Sequence, residues 1–233
     1  MVDAGPDPTA MDRCLARLGV RTLPAVVLTH FHADHIDGLP AVLADHRAGE
    51  VDVTTTEVPA SGAAEVHRWA AAAHVPVRVP AYGEVRTVGA LRWQVVGPVH
   101  PTAGGGAGEE GTVANNASLV LLVETRGLRI LMAGDMEPAA QQALAVALPG
   151  LRVDVLKVPH HGSRYQDPAL LTGLGARLAL VSVGRDNDYG HPALATLQLL
   201  RRAGMRVKRT DLDGDVAVTV HDGGLGVRSR GSR

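Results

Sequence analysis

The stretch Ala25-Val26-Val27-Leu28-Thr29-His30-Phe31-His32-Ala33-Asp34-His35 is an apolar run that ends in three imidazoles and a carboxylate within six positions. Its apolar half, residues 26–29, reads as a buried strand. Its polar half carries the donor types that bind zinc, manganese or iron. Alternate residues of an extended chain share a side, so His30, His32 and Asp34 are expected to face one way, with a turn swinging His35 round. One strand end would then feed two adjacent metal ions. Asp34 and His35, at that end, are expected to lie outside the core.

Outward from this run, residues 38–48 carry Leu39, Val42 and Leu43 at helical spacing, and residues 51–54 return as a strand. Ser61 is a candidate N-cap for a helix reaching Ala73. Residues 75–79, 84–88 and 91–96 read as short adjacent antiparallel strands, and residues 98–111, with Gly104-Gly105-Gly106, as a loop near the site. Strands at 118–124 and 128–132 flank the hairpin signal Thr125-Arg126-Gly127, and the second delivers Gly134-Asp135 at its end. Helices at 137–147, 168–174 and 192–203 then alternate with strands at 153–158, 178–183, 207–208 and 215–220. This order predicts helices outside two central sheets, with loops gathered at one edge.

The 233 residues are 45% hydrophobic with a formal net charge of −1, which fits one globular domain, residues 1–233, with a disordered tail from about residue 222. Aromatics make up only 3%, too few for a base-stacking platform, so nucleic-acid binding would need another basis. Arg201, Arg202, Arg206, Lys208 and Arg209 form a local positive cluster. Cys14 is the only cysteine, which excludes an intrachain disulfide. No run approaches the roughly 18 apolar residues of a membrane span, and no signal-peptide pattern opens the chain, which is soluble as written.

Further motifs recur in order: Val2-Asp3-Ala4-Gly5, Asn115-Asn116-Ala117-Ser118, Ala133-Gly134-Asp135, Leu156-Lys157-Val158-Pro159-His160-His161-Gly162-Ser163, and Asn187-Asp188-Tyr189-Gly190-His191-Pro192. With the opening run, they resemble the metallo-β-lactamase superfamily, and within it the C-terminal hydrolase domain of the ComEC family of DNA-internalisation competence proteins. The resemblance spans residue 2 to about 220. It implies an α/β (α+β) chain folded as a four-layer αββα sandwich, here lacking the first strands, because Val2-Asp3 falls where the family ends an early strand. It also implies DNA as substrate and, if the chain is a fragment, a membrane channel preceding it in the full-length protein.

The family pattern gives His30 and His32 to one divalent metal ion, zinc or manganese, and Asp34 and His35 to a second, with Asp135 as bridge. Many members carry a third histidine in the region where this chain reads Asn115-Asn116-Ala117-Ser118, and the amide oxygen of Asn115 or Asn116 is a weaker, harder ligand favouring manganese or magnesium over zinc. By its spacing from Asp135, His191 matches a last metal histidine. His160 or His161 is left to bind a phosphate or protonate a leaving oxygen, and the reverse assignment stays open. Neighbours on extended chain point opposite ways, so one of the two is expected to be structural. Asp34 would orient a metal-bound hydroxide or accept its proton, and Ser163 is a further phosphate-contact candidate. Lys157 alternates with apolar neighbours and reads as a salt-bridged or snorkelling residue. The resulting expectation is a DNA phosphodiesterase acting in competence. A small-molecule hydrolase of esters, thioesters or lactones, and a non-catalytic DNA- or partner-binding module, are the alternatives.

Overall fold

In the computed structural model, which describes residues 1–100, 110–221 and 223–231, Val26 and Val27 pair in parallel with Val51 and Asp52, which pair in turn with Val77 and Arg78. This three-stranded sheet belongs to the first of two units, Met1–Tyr82 with His100–Leu119. The unit comprises α1 (Pro8–Arg17), β1 (Thr22–Leu23), β2 (Val26–Val27), α2 (Ala33–Ile36), α3 (Leu39–Asp45), β3 (Arg47–Ala48), β4 (Val51–Asp52), α4 (Ala60–Ala72), β5 (Val77–Arg78) and α5 (Glu110–Asn116). Val26, Leu28, Phe31, Ile36, Leu39, Val42, Val51 and Val66 fill its core. Helix α4 turns Gly62, Ala63, Val66 and Ala70 inward, a stripe at helical spacing. A Cβ on Gly62 would lie 2.2 Å from the Phe31 carbonyl oxygen. The absent side chain thus lets α4 seat directly on the backbone between His30 and His32.

The second unit, Gly83–Val99 with Val120–Arg233, has its own core, in which Leu131, Leu144, Leu156, Leu171 and Leu200 are almost wholly buried. Its elements are β6 (Val85–Val88), β7 (Leu91–Gly97), β8 (Val120–Thr125), β9 (Leu128–Met132), α6 (Pro138–Ala147), β10 (Val155–Lys157), a 3-10 turn (Pro159–Gly162), α7 (Pro168–Gly173), β11 (Leu178–Val181), α8 (Leu194–Arg202), β12 (Arg206–Arg209), α9 (Thr210–Asp213), β13 (Asp215–His221) and β14 (Gly224–Arg230). The seven-stranded sheet runs β12-β11-β10-β9-β8-β7-β6. Strands β6 to β9 pair antiparallel, and β9 to β12 parallel through helical crossovers. The carboxyl ends of β9, β10 and β11 therefore open side by side, where α/β sheets place their sites.

Several expectations need correction. The strand expected at 75–79 joins β4 in parallel in the first unit, not β6 antiparallel, because Val77 and Arg78 pair with Val51 and Asp52. Within the expected tail, Gly224–Arg230 is a strand, zipped to β13 over seven register pairs. Helix α1 was not among the expected elements, although its signals are clear: Asp7 is an N-cap accepting from the Thr9 and Ala10 N–H groups, and Pro8 stands at the first helical position. The part of the expected glycine-rich loop from 101 to 109 lies outside the described residues.

Gly62→Ala should cost about 1–3 kcal/mol of stability through overpacking against Phe31, read as a lower urea midpoint at unchanged m-value. An unchanged midpoint would mean that α4 can back away from the motif.

Candidate metal centre

In the first unit the histidine run leaves β2 and enters the single turn of α2. Asp34 and His35 thus reach their places by helical geometry rather than strand alternation, a correction to the expected one-sided display. His30 and His35 are buried at 0% and 2% exposure, whereas half of the Asp34 side chain is exposed. His30 Nε2 lies 2.9 Å from His32 Nδ1. His35 Nδ1 lies 2.9 Å from Asp3 Oδ2, and since a carboxylate accepts, Nδ1–H donates. The lone pair is thereby left on Nε2, which faces Asp34 Oδ2 at 3.5 Å. A lone pair and a carboxylate oxygen at this separation call for a cation between them, a proton or a metal ion.

Asp3, expected only as part of a motif, here orients His35. Its Oδ1 accepts the Thr29 N–H at 2.7 Å, and its Oδ2 accepts the Thr29 hydroxyl at 3.1 Å. Burial alone would raise the Asp3 carboxyl, but the His35 ring beside it, the hydrogen bonds from His35 and Thr29, and nearby His30 outweigh burial and hold it below the ordinary carboxylate value. Asp37 shifts upward, through burial and then repulsion from Asp34 and Glu65, marking excess negative charge beside the motif. A carboxylate-histidine pair of this kind is the usual second layer of a metal site, and the pattern Asp-x-Gly ahead of the run was the signal for it.

The second unit repeats the arrangement. His161 Nδ1 lies 2.7 Å from the Ser182 carbonyl, which can only accept, so in the neutral ring Nε2 carries the lone pair. That Nε2 lies 3.1 Å from Asp135 Oδ2, while Lys157 Nζ lies 3.3 Å from Asp135 Oδ1. Gly134 at φ +53° makes the turn that presents Asp135 from β9. Its carbonyl accepts from Lys157 Nζ at 3.1 Å and from the His160 N–H at 3.2 Å. His160 and His161 do not alternate on extended chain: both sit in the left-handed region, φ +47° and +52°, within the 3-10 turn. Such backbone is costly for non-glycine residues and concentrates at functional sites.

His160 points elsewhere than His161. Its Nδ1 is 3.4 Å from Glu137 Oε1 without hydrogen-bond geometry, and its ring centroid is 5.3 Å from that of His191. Burial lowers the His160 pKa, against the pull of Asp135 and Glu137. His191 precedes α8, its backbone N–H donating to Asn187 Oδ1. Asn115 lies in helix α5 rather than in a loop, and it is buried. Ser163 is fully buried, its Oγ accepting from the Tyr165 N–H.

Asp3→Ala should weaken divalent-metal affinity about 10–100-fold by releasing the His35 ring, measured by titrating the purified chain with manganese or zinc. Unchanged affinity would remove Asp3 from the site.

Comparison with known proteins follows the same outline. The metallo-β-lactamase superfamily model matches residues 1–171. The chain is 32% identical over 203 residues to ComE operon protein 3 of Bacillus subtilis, covering 87% of this chain and 25% of that protein. It is 27% identical over 214 residues to competence protein ComA of Neisseria gonorrhoeae, covering 89% and 27%. The chain thus spans about a quarter of the length of these relatives. Among solved structures, the metallo-β-lactamase fold protein YhfI from Bacillus subtilis superposes with a TM-score of 0.55 at 12% identity, over 89% of this chain and 82% of that one, a likeness of fold. By family match, fold and relatives, the chain belongs to the metallo-β-lactamase superfamily, as a ComEC-like domain.

Proposed function

We propose that this metal-dependent hydrolase is a phosphodiesterase acting on DNA in competence-related uptake. The similarity to competence proteins over almost nine-tenths of the chain carries the DNA part of the reading. The metal part is supported by the donor sets: two imidazoles, His35 buried and His161 partly exposed, each spend Nδ1–H on an oxygen and turn Nε2 toward a carboxylate oxygen. A divalent ion, when bound, supplies Lewis acidity and lowers the pKa of the attacking water.

Each unit supplies candidate ligands in this reading: His30, His32, Asp34 and His35 in the first, Asp135 and a histidine in the second. The Ser182 bond fixes the tautomer of His161 as metal ligands require, so we place His161 beside Asp135 as ligand and His191 with His160 at the substrate side, reversing the assignment that spacing suggested. Asp34, half exposed, can turn toward an incoming water and orient it. His160, held neutral by burial, can donate one ring N–H to a phosphate oxygen. Asn115 in place of an imidazole hardens the donor set and favours manganese over zinc. In the longer relatives' architecture the domain would work beside a membrane channel; no helix among the described residues is long and apolar enough to cross a membrane.

The test is a nuclease assay on single-stranded DNA with manganese, zinc or magnesium. Cleavage should be faster with manganese than with zinc, should weaken as salt rises, and should fall by about two orders of magnitude or more in Asp34→Ala with an unchanged circular dichroism spectrum. Asp34 is the cleaner probe than His35, whose ring is buried against Asp3 and Thr29 and does not lie outside the core as expected. Robust thioester or lactone turnover by metal-loaded protein, with no DNA cleavage under any metal, would replace this reading with the small-molecule hydrolase. Metal binding with neither activity would leave a binding module.

A further inference from the structure

We propose that the Lys157 ammonium is the second cation of this centre, fixing one oxygen of Asp135 so that only the other is offered to metal. The proposal rests on the reading of Asp135 as a ligand and bears on how many ions the centre holds. A carboxylate that bridges two ions through both oxygens gives one oxygen to each, and it is this mode that a cation already seated on one oxygen opposes. In this chain the two oxygens have different company: Oδ2 faces the His161 Nε2 lone pair at 3.1 Å, and Oδ1 faces Lys157 Nζ at 3.3 Å. The ammonium carries three donors and a full positive charge, so it takes up one lone pair of Oδ1 and opposes a second cation on that side of Asp135 by like charge.

Lys157 is held there, not merely nearby. It leaves the carboxyl end of β10 in register with Met132 of β9, three residues before Asp135, and its Nζ also donates to the Gly134 carbonyl at 3.1 Å. Only 13% of its side chain is exposed, and only 3% of that of Asp135. At this burial an ion pair is screened little by solvent, and removing one partner leaves the other uncompensated. A divalent ion approaching Oδ1 would have to displace a buried, doubly bonded ammonium or sit beside it against like charge. Lys157 acts through Asp135 and is therefore a positioning residue, in which salt-bridging and function are one role.

The test is metal stoichiometry on the full chain with manganese, by calorimetric titration and by electron paramagnetic resonance, in wild type, Lys157→Met, Lys157→Gln and Asp135→Asn. Wild type should bind one tight equivalent with the spectrum of an isolated ion. Lys157→Met should take up a second equivalent at least on the order of 10-fold more tightly than wild type, with spin coupling between the ions. Lys157→Gln, neutral but polar, should do the same and stands in if the methionine variant fails to fold. Two tight equivalents in wild type, or neutral variants that bind no more metal than wild type, would overturn the proposal. Asp135→Asn should weaken the single equivalent; if it does not, the assignment of Asp135 as ligand fails first and takes the proposal with it, an outcome distinct from a failure of Lys157 alone.

Discussion

A carboxylate taken out of water costs several kcal/mol unless charge and hydrogen bonds replace its hydration, and Asp135 meets that demand from two neighbouring strand ends. Lys157 comes from the end of β10 and His161 from the turn after it, while Ser182, just past β11, holds His161 by its carbonyl. The parallel register of β9, β10 and β11 brings these groups together, and the left-handed backbone at Gly134 and at His160 and His161 makes the turns that carry Asp135 and His161. Strain in the turn is thus offset by the ion pair and hydrogen bonds it permits. The Asp3, Thr29 and His35 network does the same work in the first unit, where a single turn of helix would not by itself set the orientation of an imidazole.

This economy of one oxygen per imidazole bears on why the site was legible in part. His30, His32, Asp34, His35 and Asp135 stand out in the sequence because imidazoles and carboxylates crowded at the end of an apolar run carry a desolvation cost that a bound cation relieves. Strand 128–132 and the alternation of strands and helices after it were equally readable, since β-branched and leucine runs between Gly and Pro leave little choice. What could not be read was anything set by backbone conformation: that Ala33–Ile36 is helical, that His160 and His161 are left-handed, that Asn115 lies near the end of a helix. Local sequence gives side-chain type at a position, but a motif of mixed polar residues carries no periodicity from which to infer direction. Lys157 shows the same limit, because alternation along β10 predicts that it leaves the core yet says nothing of the carboxylate it meets beyond the next strand.

The charge distribution bears on substrate. A polyanion approaching a chain of net charge −1 needs local cations, and the cluster at 201–209 offers fewer than its sequence suggests. Lys208 is paired with Asp213 and Arg209 with Asp211, so both charges are partly spent within α9 and its flanks. Arg201 and Arg202 stand in the last turn of α8, where they answer the helix dipole. On the first unit, Asp37 is raised by burial and then by repulsion from Asp34 and Glu65, so negative charge is gathered beside the motif. If the substrate is an anionic phosphodiester, as proposed, the carboxylates beside the histidine motif would oppose its approach, and a cation bound there would offset them. On that reading metal loading and substrate attraction would be linked through the same local charge.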